Sequence, residues 1–68
     1  MQKSILTNRE KEIFELLVLN KNTDEISNYL GISQKTVRNH ISNVMQKLNV
    51  KNRSIAILEL IKLGEISL

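Results

Sequence analysis

The strongest constraint in this chain is a single stripe of apolar residues. Val37, Ile41, Val44, Met45 and Leu48 recur at intervals of i, i+4, i+7, i+8 and i+11. That spacing brings all five to one side of an α-helix and scatters them on a strand. The stripe predicts a helix over about 34–48, with Lys35, Arg38, Asn39, Ser42 and Gln46 on or beside the opposite face. The rest of the chain follows the same period, and no stretch alternates cleanly as a half-buried strand would.

Start and stop signals divide the remainder. Thr7-Asn8-Arg9-Glu10 reads as a capping box opening a first helix over about 8–19, with Ile13, Phe14, Leu16, Leu17 and Val18 for the core. Asn20 is placed to end it in a left-handed turn. Asn22 and Glu25 form a second capping signal for a short helix over about 23–30, whose buried edge is Ile26 and Leu30. Gly31 marks a tight turn, Ile32 plugs it and Ser33 caps the 34–48 helix. Asn49 ends that helix, and Asn52 caps a fourth over about 53–63, which Gly64 closes. The expectation is one all-α, four-helix domain over residues 1–68.

Size and composition exclude several functions. Sixty-eight residues leave little room for a scaffold with a deep substrate cleft. There is no cysteine, and His40 is the one histidine, so neither a zinc site nor a thiol nucleophile is expected. No cofactor and no metal are expected. Glu10 is explained by capping and Glu12 and Glu15 by a solvated helix face, so an enzyme is not expected. No apolar run approaches the roughly 20 residues of a membrane span. The opening Met1-Gln2-Lys3-Ser4-Ile5-Leu6 lacks the apolar stretch of a signal peptide, so the expected location is the cytoplasm.

Charge indicates a partner. The net charge is +3, unevenly spread. Residues 1–34 carry four basic and five acidic side chains, whereas residues 35–68 carry six basic and two acidic ones. From Lys35 to Arg53 there are five bases and no acid, the footprint of an anion-binding surface. Phe14 and Tyr29, the two aromatic residues, lie outside it. Single strands are usually held by aromatic stacking and membrane surfaces by apolar anchors, so double-stranded DNA is the better partner. A short helix, a glycine turn and a longer helix with a polar outer face make a helix-turn-helix, whose second helix enters the major groove.

Leu6-Thr7-x-Arg9-Glu10-x-Glu12-Ile13, Glu25-Ile26, Ile32-Ser33-x-x-Thr36-Val37-Arg38-x-His40-Ile41, Lys47-Leu48-x-Val50 and Arg53-x-x-Ala56 together resemble the LuxR/NarL-type DNA-binding domain. Within it, Lys35 to Asn43, Met45 to Leu48 and the ending Gly64-Glu65-Ile66 are most similar to a stand-alone regulator of sporulation. Asn20 stands where the family usually has Gly and can supply the same backbone angle. Ser27 replaces the usual Ala and remains small. The resemblance implies a sequence-specific transcription regulator, both activator and repressor of late sporulation genes, working as a homodimer with RNA polymerase as a further partner. No receiver or ligand-binding segment is expected in these residues.

The expected base contacts are Arg38, Asn39 and Ser42, on the outer face near the start of the third helix. The expected phosphate contacts are Asn22, Thr23, Ser33, Lys35, Thr36, Lys47, Lys51 and Arg53. His40 is expected to pack as a hydrogen-bonded imidazole. The fourth helix is apolar over more than one face. Ala56, Leu60 and Leu63 are expected to close the core, leaving Ser54, Ile57, Leu58 and Ile61 as a dimer interface, unless the tail Glu65-Ile66-Ser67-Leu68 folds back over them. A small helical protein–protein adaptor using that helix is the alternative function.

Overall fold

The computed structural model describes residues 4–68; the first three residues of the opening segment, where no signal peptide is expected, lie outside them. Four helices follow one another: α1 (Asn8–Val18), α2 (Thr23–Leu30), α3 (Gln34–Leu48) and α4 (Arg53–Lys62). There is no strand among the described residues, and no helix is long and apolar enough to cross a membrane. Both α1 and α4 stop one residue short of the expected end, because Leu19 and Leu63 are already C-caps whose N–H groups bond back to Leu16 and Glu59.

The helix starts are built from local chemistry. The Thr7 hydroxyl accepts from the Glu10 N–H at 3.1 Å while the Glu10 carboxylate accepts from the Thr7 N–H at 2.9 Å. Asn22 and Glu25 repeat the exchange at 2.8 and 2.9 Å. Ser33 accepts from the Thr36 N–H at 3.0 Å and Asn52 from the Ile55 N–H at 2.9 Å. Each bond satisfies an N–H that a helix start leaves without a partner. Gly31, the C-cap of α2, lies at φ +69°, where nothing stands within 4 Å of an added Cβ. Its backbone angle, and not lack of space, is therefore what a side chain would violate.

The core is shared by all four helices. Ile13, Phe14, Ile26, Val37, Val44, Ala56 and Leu60 are wholly buried, and Leu6, Leu17, Ile41 and Ile66 nearly so. Each large aliphatic or aromatic side chain there contributes about 1.5–3 kcal/mol by leaving water. α3 lies centrally and packs on the other three helices. Leu63, expected in the core, is exposed instead. The chain turns at Gly64, the Glu65 N–H bonds the Leu60 carbonyl at 2.9 Å, and Ile66 is carried into the core.

One charged pair fastens α1 to α3. Glu10 is almost completely buried, and the Lys47 ammonium donates to its carboxylate at 2.6 Å and to the Ile5 carbonyl at 3.1 Å. Burial by itself pushes the Glu10 carboxyl up. The hydrogen bond from Lys47, the Thr7 N–H and the Coulombic attraction of the ammonium outweigh it and hold the carboxyl below its ordinary value. Among the described residues, no buried side-chain polar atom lacks a partner.

Candidate nucleic-acid interface

α2 and α3 meet across the Gly31 turn. The Ile32 N–H closes the end of α2 by bonding the Ser27 carbonyl at 3.1 Å, and Ile32 itself packs against the core. Ser27 is buried and its hydroxyl donates to the Asp24 carbonyl at 2.9 Å, which leaves no orphaned polar atom where the helices approach. Val37, Ile41 and Val44 turn α3 inward, and this fixes what it shows to solvent.

Lys35, Arg38, Asn39, Ser42 and Gln46 are all exposed along α3. The three expected base contacts thus lie together on one helix, free to reach a surface laid along it. Asn39 and Ser42 make no side-chain hydrogen bond among the described residues, so their donors and acceptors are unspent. Arg38 keeps most of its five N–H donors; one nitrogen lies 3.5 Å from the Gln34 side-chain oxygen. Gln46 shares this face and belongs with the candidates; the helical period places it there as clearly as Ser42.

The expected phosphate contacts divide into three groups. Ser33 and Thr36 stand at the start of α3 with their hydroxyls 2.9 Å apart, and Asn22 and Thr23 stand at the start of α2. Free N–H groups and the helix dipole favour an anion at the start of α3, whose first turn has no acid, whereas Asp24 and Glu25 in the first turn of α2 offset that attraction there. Lys35, Lys51 and Arg53 are exposed and form no ion pair among the described residues. Lys47 is different: its ammonium is held by Glu10 and Ile5, so much of its charge is satisfied inside the molecule. That link spans 37 positions of sequence and has no periodic signature. His40 is half-buried and makes no hydrogen bond among the described residues, in contrast to the bonded imidazole expected.

On α4, Ala56 and Leu60 face the core, while Ser54 and Leu58 are exposed and Ile57 and Ile61 are partly buried against it. Ile55 is also exposed, at 44%. The tail leaves Leu58 of this face 60% exposed, although Ile66 is buried in the core against which Ile57 and Ile61 pack. A separate shallow groove between α1 and α2, of about 300 Å³, is lined by Glu12, Glu15, Leu16, Leu19, Tyr29 and Leu30. No residue of α3 or α4 contributes to it. Among the described residues, no cluster of side chains could hold a metal ion.

Residues 4–60 match the family of bacterial regulatory proteins described as the luxR family. The chain is 62% identical over 66 residues to the spore germination protein GerE of Bacillus subtilis (strain 168), covering 97% of this chain and 89% of that protein. It is 56% identical over 52 residues to the transcriptional regulatory protein DesR of the same organism. It is 47% identical over 60 residues to the transcriptional regulatory protein DegU of Brevibacillus brevis. These alignments take in 76% and 88% of this chain but only 26% and 25% of those longer proteins. The solved structure of the transcription factor GerE superposes with a TM-score of 0.93 at 63% identity, covering 96% of this chain and 97% of that one. The response regulator ChrA of a heme-sensing two-component system superposes with a TM-score of 0.87 at 30% identity, over 97% of this chain and 33% of that one.

Proposed function

The chain belongs to the luxR family of bacterial regulatory proteins and is a GerE-like DNA-binding transcription regulator, and from that premise we propose how it works. Two copies bind as a homodimer through Ser54, Ile57, Leu58 and Ile61, and each lays α3 in the major groove. Arg38, Asn39 and Ser42 read base edges: Arg38 suits guanine O6 and N7, and Asn39 suits adenine N6 and N7. Lys35, Lys51 and Arg53 hold phosphates, together with Asn22, Thr23, Ser33 and Thr36 at the two helix starts. Lys47 adds what its partly exposed ammonium can spare. A two-fold axis presents two half-sites about one helical turn apart.

The observation that carries this reading is the outer face of α3, where basic and amide side chains stand exposed with no acid from Lys35 to Arg53. Its likeness to a spore germination protein supports a role in sporulation; we propose further that it acts in the cytoplasm on late sporulation genes, as activator and repressor, with RNA polymerase as a partner. It catalyses no reaction. Selection of bound sequences from random duplex DNA, repeated at several salt concentrations, tests the core of the proposal. A two-fold symmetric site should emerge, and log affinity should fall linearly with log salt concentration. Binding that is indifferent to salt or to sequence would overturn it.

A further inference from the structure

A hydrogen-bonded chain crosses the helix-turn-helix on its exposed side. The Gln34 side-chain NH2, in the first turn of α3, donates to Asp24 Oδ1 in the first turn of α2 at 3.0 Å. The Gln34 carbonyl oxygen faces Arg38 Nη1 at 3.5 Å, one turn further along α3. A primary amide has a donating end and an accepting end, whereas a carboxylate only accepts. Asp24 therefore decides which way the amide of Gln34 points, and turning its NH2 to Asp24 turns its oxygen to Arg38. The backbone at Asp24 is fixed in α2, where its main-chain carbonyl accepts the hydroxyl of the buried Ser27 at 2.9 Å; the carboxylate itself is exposed and meets Gln34.

We propose that Gln34 is a positioning residue for DNA recognition: held by Asp24, it aims the Arg38 guanidinium so that its remaining donors meet the base edge. The inference rests on the assignment of Arg38 to a base. A guanidinium on a long exposed stem samples many directions, and a bidentate contact uses few of them. One donor tied to an oriented acceptor removes part of that freedom before DNA arrives. Arg38 keeps four N–H donors, enough for guanine O6 and N7. The sequence shows no trace of the link, because Asp24 and Gln34 lie on different helices and meet only through the turn.

The test compares base preference at every operator position for the wild type, Arg38→Ala, Gln34→Met, Asp24→Ala and the double variant Asp24→Asn/Gln34→Glu. Arg38→Ala identifies the position that Arg38 reads. Gln34→Met changes no charge, so it should leave the salt slope and the melting temperature unchanged. It should lower discrimination at that one position by about threefold to fivefold, the scale of one exposed hydrogen bond. Asp24→Ala should lower discrimination at the same position. The double variant exchanges the amide and the carboxylate, restores a donor facing an acceptor across the turn and still offers an oxygen to Arg38; discrimination should return. Full discrimination in both Gln34→Met and Asp24→Ala would overturn the inference while leaving the recognition helix in place. Losses spread over all positions, or no recovery in the double variant, would also overturn it. If Arg38→Ala alters no base preference, the assignment of Arg38 fails, and the inference with it.

Discussion

α3 and α4 are alike on the inside and opposite on the outside. Each commits an inner face to one core: Val37, Ile41 and Val44 from α3, Ala56 and Leu60 from α4. Outward, α3 shows Lys35, Arg38, Asn39 and Ser42, whereas α4 shows Ile55 and Leu58 with Ile57 and Ile61 half-covered beside them. Core closure uses up the apolar stripe of α3 and leaves donors and positive charge, which suit phosphates and base edges. On α4 it leaves aliphatic surface, which gains free energy only against another apolar surface. The inner faces therefore determine the fold, and what remains after packing determines the partner.

The largest expected effect tests the shared inner face. Leu60→Ala empties a wholly buried position and should cost about 2–5 kcal/mol of stability. Denaturant unfolding measures it, and α4 should not survive independently of the rest. Leu63→Ala should change little, since that side chain stands 56% exposed. A large loss at position 63 would mean that the turn at Gly64 does not carry Ile66 into the core.

The contrast between Leu63 and Ile66 shows how much of the fold was legible in the sequence. Signals carried by near neighbours were readable: Thr7 with Glu10, Asn22 with Glu25, Ser33 with Thr36, and the left-handed residues Asn20, Gly31, Asn49 and Gly64. Helical period identified Ile13, Phe14, Leu17, Val37, Ile41 and Val44 as buried, and it put Arg38, Asn39 and Ser42 on the outer face of α3. It failed beyond the end of α4, where a two-residue turn and not a helical angle brings Ile66 inward. It was equally silent on pairs between helices. Lys47 counted as one of five bases in an acid-free stretch, but folding places the buried Glu10 against it.

The outer face of α4 can be broken without touching its inner face. Leu58→Glu alters a side chain that is 60% exposed in the single chain, so folding should be retained. Ile61→Glu would strike a residue that also packs on the core, and is the less clean choice. The variant should be monomeric by sedimentation, keep half-site binding and lose about tenfold to a hundredfold on the whole site. Roughly 1.5–3 kcal/mol for one large aliphatic side chain sets the lower end of the effect, since a two-fold axis places the change in both copies. An unchanged dimer with normal whole-site binding would remove α4 from the interface.

The outer face of α3 should respond differently. Asn39→Ala should weaken the preferred site by about 1–3 kcal/mol and spare non-specific duplexes, with no change in oligomeric state. Quantitative binding to the selected site and to a scrambled duplex separates the two. If the preferred sequence is untouched, the outer face of α3 does not read bases in the way proposed.

The smallest effect concerns Lys47, which sits on the flank of α3 and divides its charge between a fold contact and solvent. Glu10→Gln keeps an oxygen for the Thr7 N–H but removes the charge that holds Lys47. A fully buried cation left alone would be costly, but Lys47 is 38% exposed and can turn to water, so the loss at neutral pH should be about 1 kcal/mol. The pH dependence identifies the cause. Glu10 has its folded pKa held below its unfolded value, so its contribution is fully present above the ordinary glutamate range near pH 4.3 and is lost as pH falls through the folded value. Subtracting the stability of Glu10→Gln from that of the wild type cancels the other carboxylates. The difference should be level from about pH 7 to pH 5 and shrink toward zero below about pH 4. A difference that persists unchanged at pH 3 would mean that the bond between Lys47 and Glu10 is not what stabilises this corner. Lys47 would then belong with Lys35 and Arg38 on the DNA-facing surface of α3.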